Sequence, residues 1–90
     1  MDIREWQQNN QTELFHSGTE VLLAMTEEMG EIATEVALLE RVGSKVYWQK
    51  APSVERLGEE ITHLLNLAAV LANQYGIDLE AVYQAKKSAG

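Results

Sequence analysis

Leu22-Leu23-Ala24-Met25-Thr26-Glu27-Glu28-Met29-Gly30-Glu31-Ile32, residues 22–32, sets three glutamates into a segment whose apolar residues recur with helical spacing. At about 100° per residue, Leu22, Met25, Met29, Ile32, Val36 and Leu39 fall on one stripe. Glu28, Glu31 and Glu35 fall on its flank, so the acidic row borders the expected core. Further along, Glu59-Glu60-Ile61-Thr62-His63 sets ionisable groups into a second apolar segment. Side chains three or four positions apart share a helix face. Glu60 stands among residues expected to be buried, and a carboxylate there is costly unless its charge is compensated.

Outward from the first segment, Ser17-Gly18-Thr19-Glu20 is a helix start, with Ser17 as N-cap and Glu20 at the third helical position. The helix is expected to run to about Val42, with Gly43 supplying the stop. Upstream, residues 2 to about 15 read as a helix capped by Asp2 and packed through Trp6, although Gln7-Gln8-Asn9-Asn10-Gln11 is a run of weak helix formers. Downstream, Pro52 and Ser53 open a helix that runs to about Tyr75, with Leu57, Ile61, Leu64, Ala68, Leu71 and Tyr75 as its main stripe. Leu65, Leu67, Ala69 and Val70 widen its apolar surface, which argues for burial on more than one side and hence for an oligomer interface. Gly76 ends it, and Asp78 caps a last helix through about Lys87, whose terminal Lys86 and Lys87 suit its dipole. Gly30 and Gly58 fall inside helices at ~1 kcal/mol each relative to Ala, which points to a packing reason such as a neighbouring backbone. No stretch alternates as a strand would. The expectation is an all-α, antiparallel four-helix bundle, a single domain over residues 1–90.

A 90-residue domain is marginal alone, and with 46% apolar residues association into a homodimer or homotetramer would cover the excess. Cysteine is absent, which removes disulfides and thiolate metal sites and agrees with a cytoplasmic location. The first residues carry no signal-like apolar run, and no run approaches the ~18 residues that span a bilayer. The net charge of −7 disfavours nucleic acid, whose phosphates need Lys and Arg. A phosphorylated small molecule stays open, because a bound cation inverts the local sign.

If the two acidic helices are antiparallel neighbours, Glu28, Glu31 and Glu60 can converge, with His63 one turn on. Two carboxylates ~6 Å apart repel by ~3 kcal/mol at an effective dielectric of ~20. Either they splay into water or a divalent cation holds them, and hard oxygen ligands suit Mg²⁺ or Mn²⁺. Glu35 and Glu59 read as solvated flank residues. Glu60 has an alternative partner in Arg56, one turn back. His63 is either a packed, hydrogen-bonded histidine or a ligand, and Asn66 faces either a ligand or an interface.

Glu27-Glu28-x-x-Glu31 followed by Glu60-x-x-His63 resembles the MazG-type nucleotide pyrophosphohydrolases, within the all-α NTP pyrophosphatases. That family's pattern is E-E-x-x-E, a variable spacer, then E-x-x-D. The flanks Leu22-Leu23-Ala24-Met25-Thr26 and Leu57-Gly58-Glu59 are similar too, as is Gly76-Ile77-Asp78-Leu79-Glu80-Ala81-Val82 through Lys86, so the likeness covers residues 6 to 87. The resemblance implies Mg²⁺ held by Glu28, Glu31 and Glu60, with His63 at the remaining ligand position, Glu27 as base or further ligand, and Glu27 and Glu28 as catalytic residues. It implies cleavage of a nucleoside triphosphate to monophosphate and pyrophosphate. Asn66 would contact substrate, Lys86, Lys50 or Lys45 the distal phosphates, and Trp48, Trp6 or Tyr47 the base. The departure is His63, where the family has Asp. An imidazole should weaken Mg²⁺ and tolerate Mn²⁺, Ni²⁺ or Zn²⁺ better. The alternative is a degenerate member that keeps the fold as a helical interaction module. A di-iron centre, suggested by Glu60-x-x-His63, would need two chains to share the site.

Overall fold

The computed structural model describes residues 2–11, 14–44 and 50–89. Among them the chain forms four helices and no strand: α1 (Ile3–Gln8), α2 (Gly18–Glu40), α3 (Val54–Gln74) and α4 (Leu79–Ala89). The cap residues named from the sequence set the starts. Asp2 accepts from the Arg4 and Glu5 amides, Ser17 from Glu20, Ser53 from Arg56 and Asp78 from Ala81. The Ser17 cap is not a closed capping box, because the Glu20 carboxylate reaches the amide of His16 instead. The Ala81 amide, and Arg4 beside it, hold the Asp78 carboxyl below its usual range.

Two ends differ from expectation. α1 stops at Gln8, well short of residue 15. The side chain of Asn10 donates to the carbonyl of Trp6 at 2.8 Å, taking the acceptor that a continuing helix would give to a backbone amide. α2 stops at Glu40 because Arg41 already turns left-handed at φ 57°, two residues before Gly43, itself at φ 75°, and the Val42 amide closes onto Ala37. α3 ends as expected at Gly76, φ 65°, where the amides of Gly76 and Ile77 close onto Asn73 and Ala72.

α2 and α3 pack side by side and run antiparallel. A side chain at Gly18 would strike Tyr75 and Leu71, while Glu28 lies by His63 and Glu35 by Arg56. Seven residues forward on one helix is seven back on the other. The seam on α2 is Val21, Met25, Glu28, Ile32, Glu35 and Leu38; it shares Met25 and Ile32 with the stripe read from apolar residues and lies one position earlier at the other four. Leu22 and Met29, expected inside, are 54% and 52% exposed. Glu28 and Glu35 occupy seam positions that an apolar count leaves out. On α3 the buried residues are Ala69, Val70 and Ala72, whereas Ile61 and Tyr75 of the expected stripe are exposed.

α1 lies across α3, and α4 packs on α1. The joint is Gln7, buried within a polar-looking run. Its amide donates to Asn73 Oδ1 at 2.8 Å and to the Ile77 carbonyl at 2.6 Å, and its oxygen accepts from the Leu79 amide at 3.0 Å. No residue of α4 is buried. The radius of gyration, 15.9 Å, exceeds the ~12 Å of a compact 90-residue domain, so the bundle is open. Gly30 and Gly58 meet no neighbouring backbone; the glycine with a close neighbour is Gly18. No helix among the described residues is long and apolar enough to cross a membrane.

Candidate metal centre

α2 and α3 bring the two acidic motifs together at mid-seam. Glu28, Glu60 and His63 each direct a ligand-bearing atom into one spot, all within 4.8 Å of one another. His63 Nδ1 stands 3.7 Å from Glu28 Oε1 and 3.8 Å from Glu60 Oε2. Glu28 Oε2 and Glu60 Oε2 are shut off from solvent and have no hydrogen-bond partner. A buried carboxylate oxygen left in that state is costly, and a cation is one of the few groups that satisfies two at once. The donor set, two carboxylates and one imidazole, fits a divalent ion of the first transition row.

Glu31 is exposed and borders the centre. Its carboxyl is pushed above the ordinary range, first by Glu60 and further by partial desolvation. That is the direction expected where anions crowd one another. Glu27 lines a cleft of about 440 Å³ with Glu31, Thr34, Glu35, Lys50 and Glu60. The cleft is within the range of small-ligand sites, ~300–1,000 Å³.

Arg56 does not pair with Glu60 as the one-turn spacing allowed. It reaches across the seam to Glu35, Nε to Oε2 at 2.9 Å and Nη2 to Oε1 at 2.8 Å. Glu35, read from the sequence as solvated, is 3% exposed. Arg56 holds its carboxyl below the usual range. Nothing in the sequence marks Glu35 apart from other flank acids except its spacing, seven residues after Glu28 and so on the same seam.

Trp6 Nε1 donates to Asn66 Oδ1 at 3.3 Å, which places both one turn beyond His63 on the α1 side. Lys86 is elsewhere. It lines an apolar groove of about 660 Å³ between α1 and α4, with Ile3, Leu79, Val82, Tyr83 and Lys87. That groove is larger than the cleft, and none of the acidic residues of the metal centre lines it. Trp48, Tyr47 and Lys45 lie outside the described residues. No protein-family model, curated protein or solved structure matches the chain.

Proposed function

We propose that the protein is a metal-dependent nucleoside triphosphate pyrophosphohydrolase of the MazG type, acting in nucleotide-pool housecleaning. The observation that carries this reading is the convergence of Glu28, Glu60 and His63 with two buried carboxylate oxygens that accept no hydrogen bond. The motif resemblance supplies the reaction. Glu28, Glu60 and His63 would hold Mg²⁺ or Mn²⁺, with Glu31 at the border. When bound, the ion neutralises phosphate charge and lowers the pKa of a coordinated water. Glu27, exposed in the cleft, takes the proton of the attacking water. Its oxygen bonds to the α-phosphorus as the bond to the α–β bridging oxygen breaks, giving a nucleoside monophosphate and pyrophosphate. Trp6, fixed by Asn66, offers an aromatic face for the base. Exposed Leu22, Leu23 and Leu65 support a homo-oligomer.

The test is pyrophosphate release from a panel of canonical and modified (d)NTPs with Mg²⁺ or Mn²⁺. No release from folded protein in any mixture overturns the enzyme. One observation favours a second reading, a non-catalytic helical interaction module. His63 already stands between Glu28 and Glu60, and a protonated imidazole there would compensate both without an ion. In that case Glu28→Gln, Glu31→Gln and Glu60→Gln assemble as the wild type does and melt no higher, and Mg²⁺ or Mn²⁺ leaves the melting temperature unmoved.

A further inference from the structure

We propose that Lys50 is the group that holds the distal phosphates of the substrate over the cleft, and that Glu35 aims it; this rests on the function proposed above. Among the described residues lining the cleft, Lys50 is the single cation, facing four carboxylates, those of Glu27, Glu31, Glu35 and Glu60. A polyphosphate approaching that lining is repelled by the carboxylates and attracted at a bound metal and at Lys50.

Three observations separate Lys50 from an ordinary surface lysine. First, it is the lesser of two partners where it pairs. Glu35 is already neutralised by Arg56, which engages both its oxygens at 2.8 and 2.9 Å. Lys50 Nζ stands off at 3.4 Å from Oε2, and its side chain is 44% exposed. An ammonium has three donors. One is turned to Glu35, and the others are available to an anion. Second, its backbone is tethered. Arg56 Nη2 also donates to the carbonyl of Ala51 at 2.6 Å, so the guanidinium that balances Glu35 fixes the chain one residue from Lys50. Third, the anchoring runs along the same two helices as the metal centre. Glu35 lies one turn beyond Glu31 on α2, and Arg56 lies one turn before Glu60 on α3. The seam thus places a carboxylate cluster on one turn, and on the next the Glu35–Arg56 pair that aims the Lys50 ammonium. Of the two described lysines that the sequence offered for this role, Lys50 lines the cleft and Lys86 does not.

The experiment compares wild type, Lys50→Met and Lys50→Arg, loaded with Mn²⁺. It measures calorimetric binding of inorganic tripolyphosphate, KM and kcat for the triphosphate turned over fastest, and the melting temperature. The expected result is tripolyphosphate affinity about tenfold weaker in Lys50→Met and KM raised to match, with kcat and melting little changed. Lys50→Arg should recover most of the affinity. Equal affinity in wild type and Lys50→Met overturns the assignment while leaving the enzyme intact. A loss that comes with lowered melting and is not recovered by Lys50→Arg also overturns it, because the lysine is then structural. If wild type neither binds tripolyphosphate nor releases pyrophosphate from any nucleotide, the function itself falls and the assignment with it.

Discussion

Arg56 grips Glu35 with two parallel hydrogen bonds, Nε to Oε2 at 2.9 Å and Nη2 to Oε1 at 2.8 Å, across the seam between α2 and α3. A fork-to-fork pair of this kind fixes direction as well as distance. It therefore sets the register that brings Glu28 opposite His63. Glu35→Ala should cost about 2–3 kcal/mol, because Arg56 and Lys50 lose their shared partner in a half-buried setting. Urea unfolding checks this. A loss below ~0.5 kcal/mol would show that the pair does not set the register.

The same pair predicts an acid limb. Glu35 has a folded pKa below its unfolded value, since Arg56 stabilises the carboxylate. The unfolded chain therefore takes up the proton first. The stabilisation is complete above the ordinary glutamate value of about 4.3 and is lost as pH falls through the lower, folded value. Glu31 works the other way, because its raised pKa makes the folded state relatively better off when protonated. A melting-temperature profile from pH 7 to pH 3 should show the acid loss in wild type and a flatter limb in Glu35→Gln.

At the metal centre, removing one anion should relieve the apo protein. Glu60→Gln is expected to raise the melting temperature without metal by about 2–5 °C and to abolish the further rise given by Mn²⁺. A mutant that melts lower without metal would mean that Glu60 is satisfied as it stands. His63→Asp exchanges a borderline ligand for a hard one and should enlarge the Mg²⁺-induced shift relative to the Mn²⁺-induced one. Calorimetric Kd ratios for the two ions check the exchange.

Arg41 is a non-glycine residue held at φ 57°, which costs roughly 1 kcal/mol relative to glycine. Arg41→Gly should therefore stabilise the protein by up to about 1 kcal/mol, less the entropy that glycine adds to the unfolded chain. An unchanged or lowered midpoint in urea would mean that the arginine side chain offsets its own backbone.

Helix starts were legible because Asp2, Ser17, Ser53 and Asp78 act within a few residues, and the convergence of the two acidic motifs was legible because α2 and α3 neighbour each other. The seam was not. Counting apolar residues centres the stripe on Leu22 and Met29, while the packed face runs through Glu28 and Glu35, whose burial depends on partners distant in sequence. Gln7 was hidden for the same reason: Gln8 and Gln11 look identical until the α3–α4 turn supplies its acceptors and donor. Lys50 and Lys86 are likewise interchangeable as charges, and only the fold tells them apart, setting Lys50 at the acidic cleft and Lys86 in the α1–α4 groove.

The place of α4, carried on α1 and joined to it through Gln7, ties the two ends of the chain into one cooperative unit. Amide protons near the N- and C-termini should exchange with solvent together and sooner than those of the central hairpin. Gln7→Leu, which strands the Ile77 carbonyl and the Leu79 amide, should speed exchange at both extremities at once and cost ~3 kcal/mol.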